Sequence, residues 1–511
     1  MSSPLLRPDL SGEADTTAVR SLALVEALKR PGEIPRPHRV YVNRNLRLDQ
    51  IQMVGFDMDY TLAIYNQAKI EELSVIATLQ KLVSNKGYPD TIRRLAYDPT
   101  LGLRGLVVDR TMGNVFKPDR YGTPHRVLHG RRVVARDEVA ALYQRDRMRL
   151  GDPRYAWIDS LFAVPEAALY VNLVDFFDGV GGPKPGYPQL WHDIRECIDL
   201  AHRDGSIKSI VAADMRQFIE RDPALAEALH RFRSSGKRLF VLTNSEWAYT
   251  DPVMSYLLDG VLPAYPSWRN FFDVIVVSAA KPAFFTEERP FQELDAEGAP
   301  LTNPVGGPFV RARVYAGGNI REFEERARAR GAEVLYIGDH IYGDMLRSRK
   351  SSAWRTAMIL QELEHEVATH DRVTPDLVKL DDLERQLRHL DAEIADKQLV
   401  LRALQKRDGV EGNGIGSGEL GAAKRAVKEM LDRLRMELRT SMEEHRRLET
   451  DLDAAHNPHW GPLFREGHEI SKFGEQVEAY ACVYTSRVSN FRFYSPHRHF
   501  RGPRDRMPHE R

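Results

Sequence analysis

A chain of 511 residues is too long for one ordinary hydrophobic core, so about two or three domains are expected. Lys plus Arg and Asp plus Glu stand equal at 73 each, so no global field favours nucleic acid or a membrane surface as a partner. The opening MSSPLLRPDLSGEADTTAVRS has no basic segment leading into an apolar one, no stretch suits a bilayer span, and Cys197 and Cys482 lack metal-site or disulfide-framework spacing; a soluble cytoplasmic protein is expected.

Residues 1–37 hold one predicted helix, Thr17–Lys29, followed by Pro31, Pro35 and Pro37 as an extended connector. Arg39–Leu46 reads as a strand leading into Met53–Tyr65, MVGFDMDYTLAIY. There Ile51–Phe56 is an apolar run without polar alternation, which suits a strand buried on both faces of a parallel sheet, and the carboxyl ends of such strands bind ligands. Asp57 and Asp59, two apart in an extended stretch, can face one ligand while Met58 turns inward. A bare DxD is more often an acidic surface turn; Thr61 and Leu62 behind it, and the chemistry at three later strand ends, change that balance.

From Asn66 to about Gly205 mixed strands and helices interrupt the strand rhythm, as a cap inserted between the first and second core strands would. Within it, WHDIRECIDLAHRDGSIK sets Arg195, Asp199 and His202 four and three residues apart on one helical face, a pattern that also fits a solvated or ion-paired face. The core resumes with apolar runs at Arg238–Leu242, Asp273–Ser278, Val334–Ile337 and Arg355–Leu360. Helices predicted at Ala224–Ser234, Pro252–Asp259 and Ile320–Arg330 lie between them, so the pattern is that of a doubly wound parallel sheet. Beyond the run ends stand Thr243-Asn244-Ser245, then Lys281, then GDHIYGD with Asp339 and Asp344. Thr243–Ser245 can hold phosphate or cap a helix, and Asp344 can support a metal site or cap one.

From about Pro375, Leu380, Leu383, Leu387, Leu390 and Ile394, then Leu431, Leu434 and Leu438, recur at helical spacing on either side of DGVEGNGIGSGELG. Two amphipathic helices in an antiparallel hairpin are expected. No buried strand precedes these glycines, so a nucleotide loop is rejected; His365–His370 is HExxxH, whose histidines share no helical face, so a zinc-protease site is rejected too. The segment from Thr485 interleaves Arg, His and aromatic residues, and packing on the protein itself or a neighbouring subunit is expected over nucleic-acid binding because the chain is neutral.

DMDYTL resembles the first motif of the haloacid dehalogenase (HAD) superfamily of phosphohydrolases, with VLTNS, SAAKPAFF and GDHIYGD in the places of its later motifs. More narrowly, the chain from about Arg39 to Glu362, and more weakly to its end, resembles the cytosolic purine 5'-nucleotidase family of the IMP/GMP-preferring type. The resemblance implies an α/β fold: a HAD-type, Rossmann-like doubly wound parallel sheet with an inserted α+β cap and a C-terminal antiparallel helical hairpin. The expected division is 1–37 as N-terminal helix and connector, 38–66 plus 206–370 as catalytic core, 67–205 as cap, 371–456 as hairpin and 457–511 as a basic, aromatic tail. In the HAD strand order the first and fourth core strands are neighbours, which brings Asp57 beside Asp339.

The resemblance also implies roles. Asp57 is the nucleophile that forms an aspartyl-phosphate, and Asp59 the acid and base, since crowding two carboxylates raises the pKa of one of them. An aspartate at the second position, where related ATP-driven pumps have threonine, favours a phosphatase or phosphotransferase. Thr243, Asn244 and Lys281 hold phosphate; Mg²⁺ takes Asp57, the Asp59 carbonyl and Asp339 as ligands, with Asp344 in support. Phe162 stacks on the base, and Arg195, Asp199, His202 and Lys208 bind the rest of the substrate. Arg203 stands where the family commonly has an aromatic residue, which leaves base preference open.

The expected activity is Mg²⁺-dependent hydrolysis of purine nucleoside 5'-monophosphates by a homo-oligomer, with phosphotransfer to nucleosides as a variant. A HAD phosphatase for another phosphorylated metabolite is the alternative. A non-catalytic scaffold built on the hairpin is a third reading, against which the intact set Asp57, Asp59, Thr243, Lys281 and Asp339 speaks.

Overall fold

The computed structural model describes residues 33–143, 148, 151–180, 184–301, 306–341, 344, 353–410, 417–504 and 506–510. The helix expected at Thr17–Lys29 and part of the glycine-rich turn, 411–416, lie outside them. In chain order the core strands are β1 (Tyr41–Val42), β2 (Met53–Phe56), β3 (Arg238–Leu242), β4 (Val274–Val277), β5 (Phe291–Leu294), β6 (Val314–Gly317), β7 (Val334–Gly338), β8 (Arg355–Ile359) and β9 (Val483–Thr485). Among the described residues they form one nine-stranded sheet, in the order β1-β9-β8-β7-β2-β3-β4-β6-β5. It is parallel except at its edges, where β1 and β5 run antiparallel to their neighbours.

The unbroken apolar runs follow from this architecture. Residues along each central strand alternate between two separate cores: Val54, Phe56, Leu239, Val241, Ile275 and Ile337 pack on one face, Met53, Phe240, Leu242, Val276 and Tyr336 on the other. Both faces are dry, so a polar group there needs a partner within the protein, as the Tyr336 hydroxyl has in Leu242 O at 3.0 Å. Close packing also fixes Gly55, where a Cβ would lie 2.0 Å from the Phe240 ring. Strand β2 sits between β7 and β3, so the first and fourth core strands are neighbours as expected, and Phe56 pairs with Ile337 one residue before the chain reaches Asp57.

Strand β9 corrects the division drawn at 457–511, because part of that segment lies inside the core sheet. Val483 and Thr485 are fully buried, Thr485 Oγ1 donates to Arg39 O at 3.0 Å and Ser486 Oγ to Pro37 O at 3.0 Å. Three residues are too few to show a strand period, and the Arg-rich stretch that follows masked them. Packing of the segment on its own chain is as expected.

The cap leaves and rejoins the core through an antiparallel pair, Ile64–Tyr65 with Ile219–Glu220, so the return crossing lies later than the expected boundary at 205/206. Inside it are α1 (Gln67–Lys86), a five-stranded antiparallel sheet, α2 (Val164–Gly179) and α3 (Tyr187–Arg203). Helix α3 buries Leu190, Ile194, Cys197, Ile198 and Ala201 and packs on α1 and α2. The hairpin consists of α4 (Leu363–Val410) and α5 (Ser417–His456), so its first arm begins before the expected residue 371. The arms are antiparallel, with Gln386 donating to Glu437 at 3.4 Å and Arg372 to the Ala455 carbonyl at 3.4 Å. No helix among the described residues is long and apolar enough to cross a membrane.

Candidate active site

The chain leaves β2 in a tight turn: Asp57 N–H donates to Ile337 O at 2.9 Å, and the N–H groups of Leu62 and Ala63 both donate to Met58 O at 2.9 Å. Met58 is fully buried while Asp57 and Asp59 line a cavity of about 270 Å³, the outcome expected from their spacing. Tyr60 turns the chain at φ 54°, a left-handed conformation costly for a tyrosine and held by its packing against Tyr65 and Phe162. Both oxygens of Asp59 are engaged, Oδ1 by the Tyr65 hydroxyl at 2.6 Å and Oδ2 by the Ser245 hydroxyl at 2.7 Å. Tyr65 in turn lies 2.9 Å from the Tyr249 hydroxyl.

At the end of β3 the expected phosphate hydroxyl is displaced. Thr243 is fully buried, its Oγ1 accepts the Ser245 N–H at 3.0 Å, and it is not among the cavity-lining residues. Asn244 faces the cavity instead and clamps the next loop, its Oδ1 accepting Lys281 N–H at 2.6 Å and its Nδ2 donating to Lys281 O at 2.9 Å. So fixed, Lys281 Nζ reaches Asp57 Oδ2 at 2.9 Å, Asp344 Oδ1 at 2.8 Å and the Tyr336 hydroxyl at 2.9 Å. Burial works against the ammonium, but Asp344 and Asp57 flank it and hold its pKa well above the usual lysine value.

Asp339 and Asp344 complete the wall from the end of β7. A Cβ at Gly338 would lie 2.5 Å from Asp344 Oδ2, so glycine is what lets that carboxylate lie under the strand end. Asp57, Asp339 and Asp344 bring one ligand oxygen each within 4.8 Å of one another, all buried. Burial pushes Asp57 well above the carboxylate range, with Lys281 opposing and Asp344 and Asp339 adding. Burial likewise lifts Asp339 to about 7, Asp344 adding and Arg104 opposing. An oxygen-only cluster this short of positive charge fits a divalent cation.

Of the cap residues named from the sequence, Phe162 lines the cavity, 39% exposed, with its ring 5.7 Å from that of His202. Lys208 Nζ lies 5.2 Å above the Tyr249 ring, so it adjoins the Tyr65–Asp59 network. Burial, with Lys208 adding, lowers the His202 pKa. Arg195 is engaged within the cap: it donates to both oxygens of Glu166, at 2.6 and 2.8 Å, and reaches Asp199 at 3.8 Å. The ion-paired face that its spacing also allowed is therefore part of the answer for Arg195.

Sequence reasoning passed over several groups at the site. Tyr65, Tyr249 and Ser245 bear on Asp59, Tyr336 on Lys281, and His340 lines the cavity 3.4 Å from Asp159. Arg104, buried in the cap, donates to the Asp339 carbonyl at 2.9 Å and to Glu362 just before α4. Ser245 and His340 lie inside the recognised motifs, and Tyr65 and Tyr336 inside recognised strand runs, so position was a usable signal for these four; Tyr249 and Arg104 sit in stretches with no pattern of their own.

The sequence profile of the 5' nucleotidase family matches residues 40–511. The chain belongs to that family. A 5'-nucleotidase domain-containing protein of Dictyostelium discoideum is 28% identical over 480 residues, 93% of this chain and 75% of that protein. The 5'-nucleotidase domain-containing protein 2 of Rattus norvegicus is 29% identical over 489 residues, 93% of this chain and 80% of its own. Its Homo sapiens namesake is 32% identical over 346 residues, 65% of this chain and 64% of its own. The protein is thus a 5'-nucleotidase, a hydrolase of phosphate monoesters on a mostly parallel α/β sheet.

Proposed function

We propose that this 5'-nucleotidase hydrolyses purine nucleoside 5'-monophosphates with Mg²⁺, through an aspartyl-phosphate on Asp57. The observation that carries the reading is the Asp57 carboxylate in the cavity, 2.9 Å from the Lys281 ammonium and grouped with Asp339 and Asp344. Asp57, Asp339 and the Asp59 carbonyl would hold the metal, with Asp344 beside them. When bound, Mg²⁺ supplies positive charge to the phosphate oxygens.

Asp57 attacks phosphorus as the ester P–O bond breaks, and the nucleoside 5'-oxygen leaves with a proton from Asp59. Asp59, then a carboxylate, takes a proton from the attacking water while the P–O bond to Asp57 breaks, which releases phosphate and restores the nucleophile. A nucleoside hydroxyl in place of water gives phosphotransfer by the same step. Lys281 and Asn244 attend the phosphate, while Thr243 holds the loop beneath them. Phe162 offers its ring to the base, with Asp199, His202 and Lys208 nearby; a fused two-ring base gains on the order of 1 kcal/mol over a single ring there.

Phosphate release from the five common nucleoside 5'-monophosphates and a sugar phosphate, with and without Mg²⁺, tests the reading. Inosine and guanosine monophosphates should lead and activity should require the metal. One observation favours a second reading, a phosphatase for another phosphorylated metabolite: Arg195 is committed to Glu166, which leaves fewer groups for a base. A sugar phosphate outperforming every nucleotide would establish that alternative.

A further inference from the structure

We infer that Tyr65, its hydroxyl held by Tyr249, is the positioning residue that fixes the Asp59 carboxyl group for proton transfer to the leaving oxygen. The inference rests on the reading of Asp59 as acid and base. An aspartate carboxyl turns about two single bonds, and one hydrogen bond to one oxygen leaves part of that freedom. Here two hydroxyls from different elements grip different oxygens: Tyr65, on the ribbon joining core to cap, takes Oδ1 at 2.6 Å, and Ser245, after β3, takes Oδ2 at 2.7 Å. The Tyr65 hydroxyl is itself fixed by Tyr249, at 2.9 Å, from the helix Trp247–Leu258.

Both tyrosines are buried, 5% and 8% exposed, and the Tyr65 ring packs on the Tyr60 ring at 5.0 Å between centroids. Water therefore competes poorly for these bonds. An acid must hold its proton within hydrogen-bonding reach of the departing oxygen, and a small misplacement is costly. Because Tyr65 lies where the chain passes into the cap, the same contact ties the orientation of Asp59 to the way the cap is seated.

The test exploits the leaving group. An alkoxide leaving from inosine 5'-monophosphate needs a proton, whereas 4-nitrophenolate leaving from 4-nitrophenyl phosphate does not, and kcat/KM reports the steps up to that departure. Asp59→Asn sets the scale: it should lose far more on the nucleotide than on the aryl phosphate. Tyr65→Phe, which keeps the ring and removes only the hydroxyl, should follow the same pattern, with a loss of about 10- to 100-fold on the nucleotide and under about threefold on the aryl phosphate.

Equal losses on both substrates, or none, in Tyr65→Phe while Asp59→Asn discriminates would overturn the inference alone. No discrimination in Asp59→Asn would overturn the reading of Asp59, and the inference with it. Should Tyr65→Phe fail to fold, Tyr249→Phe releases the Tyr65 hydroxyl and must give a weaker form of the same selectivity; equal losses there would likewise overturn the inference.

Discussion

A carboxylate out of water gains a proton unless a cation stands by it, and at Asp57 that cation is Lys281, 2.9 Å away. Asp57→Asn removes the negative charge and the nucleophilic oxygen while keeping the shape, and Lys281 retains Asp344 at 2.8 Å. The variant should fold normally and lose turnover by about 10⁴-fold or more. Trapping labelled phosphate on the wild-type protein checks the same residue; a label recovered elsewhere, or normal turnover in Asp57→Asn, removes it from the role. His340 gives a pH prediction. Burial alone would lower its pKa, but Asp159, with Asp344 and Asp339 behind it, raises it from the ordinary 6.5 to about 9. A raised folded-state pKa means the contribution to stability is complete below the unfolded value and is lost as pH rises through about 9. In chelator, Asp159→Asn should therefore lower the melting midpoint at pH 6 and change it little at pH 10. The same drop at both pH values would exclude the His340–Asp159 pair as its cause.

Among the elements, the hairpin is the clearest case of a pattern that carries its own packing. Leu390, Ile394 and Leu431 are buried along the seam, while the roots are tied to the body by ion pairs of Asp371 with Arg36 and Asp453 with Arg126. Replacing Lys379–Asp451 by a short Gly/Ser linker keeps both ties, so phosphatase activity should persist to within about threefold, burial of the seam being internal to the removed arms. A folded deletion without activity would place the hairpin in the site. Leucine spacing made these helices legible, as dry apolar runs did for β2, β3, β4, β7 and β8. Strands β5 and β6 escaped because they are only partly buried and so carry no unbroken apolar run, and β9 because it has three residues. The site divides in the same way. Asp57, Asp59, Lys281, Asp339 and Asp344 stand at strand ends within motifs. Tyr65 meets Tyr249, and Arg104 meets Asp339, only because the topology closes over long separations. Thr243 and Arg195 show why spacing alone left two readings open for each: the Thr243 hydroxyl also accepts the Ser245 N–H, and Arg195 also pairs with the buried Glu166.

Cap, hairpin and C-terminal segment meet away from the active site, around the buried carboxylate of Glu466. Lys117, on the cap strand Asn114–Pro118, donates to Trp460 O at 2.8 Å and to the Pro462 carbonyl, and stands 3.3 Å from Glu466. Glu466 is 1% exposed, and neither of its carboxylate oxygens accepts a hydrogen bond among the described residues. Lys117 and, at 3.8 Å, Arg126 are the cations that offset it. Burial pushes the Lys117 ammonium down to about 8 against the pull of Glu466, and raises Glu466. Neither charge is comfortable alone, so removing one should cost much more than removing both. Lys117→Met leaves a buried carboxylate with only the distant Arg126 and should destabilise by about 3–5 kcal/mol. Lys117→Met combined with Glu466→Leu fills the space with apolar groups and should recover most of that loss, though not all, because the Trp460 and Pro462 carbonyls still lose their donor. Urea unfolding of the two single variants and the double variant at neutral pH measures the coupling. Strictly additive losses would mean that the two charges do not depend on each other, and that the cap is joined to the C-terminal segment by packing and backbone contacts instead.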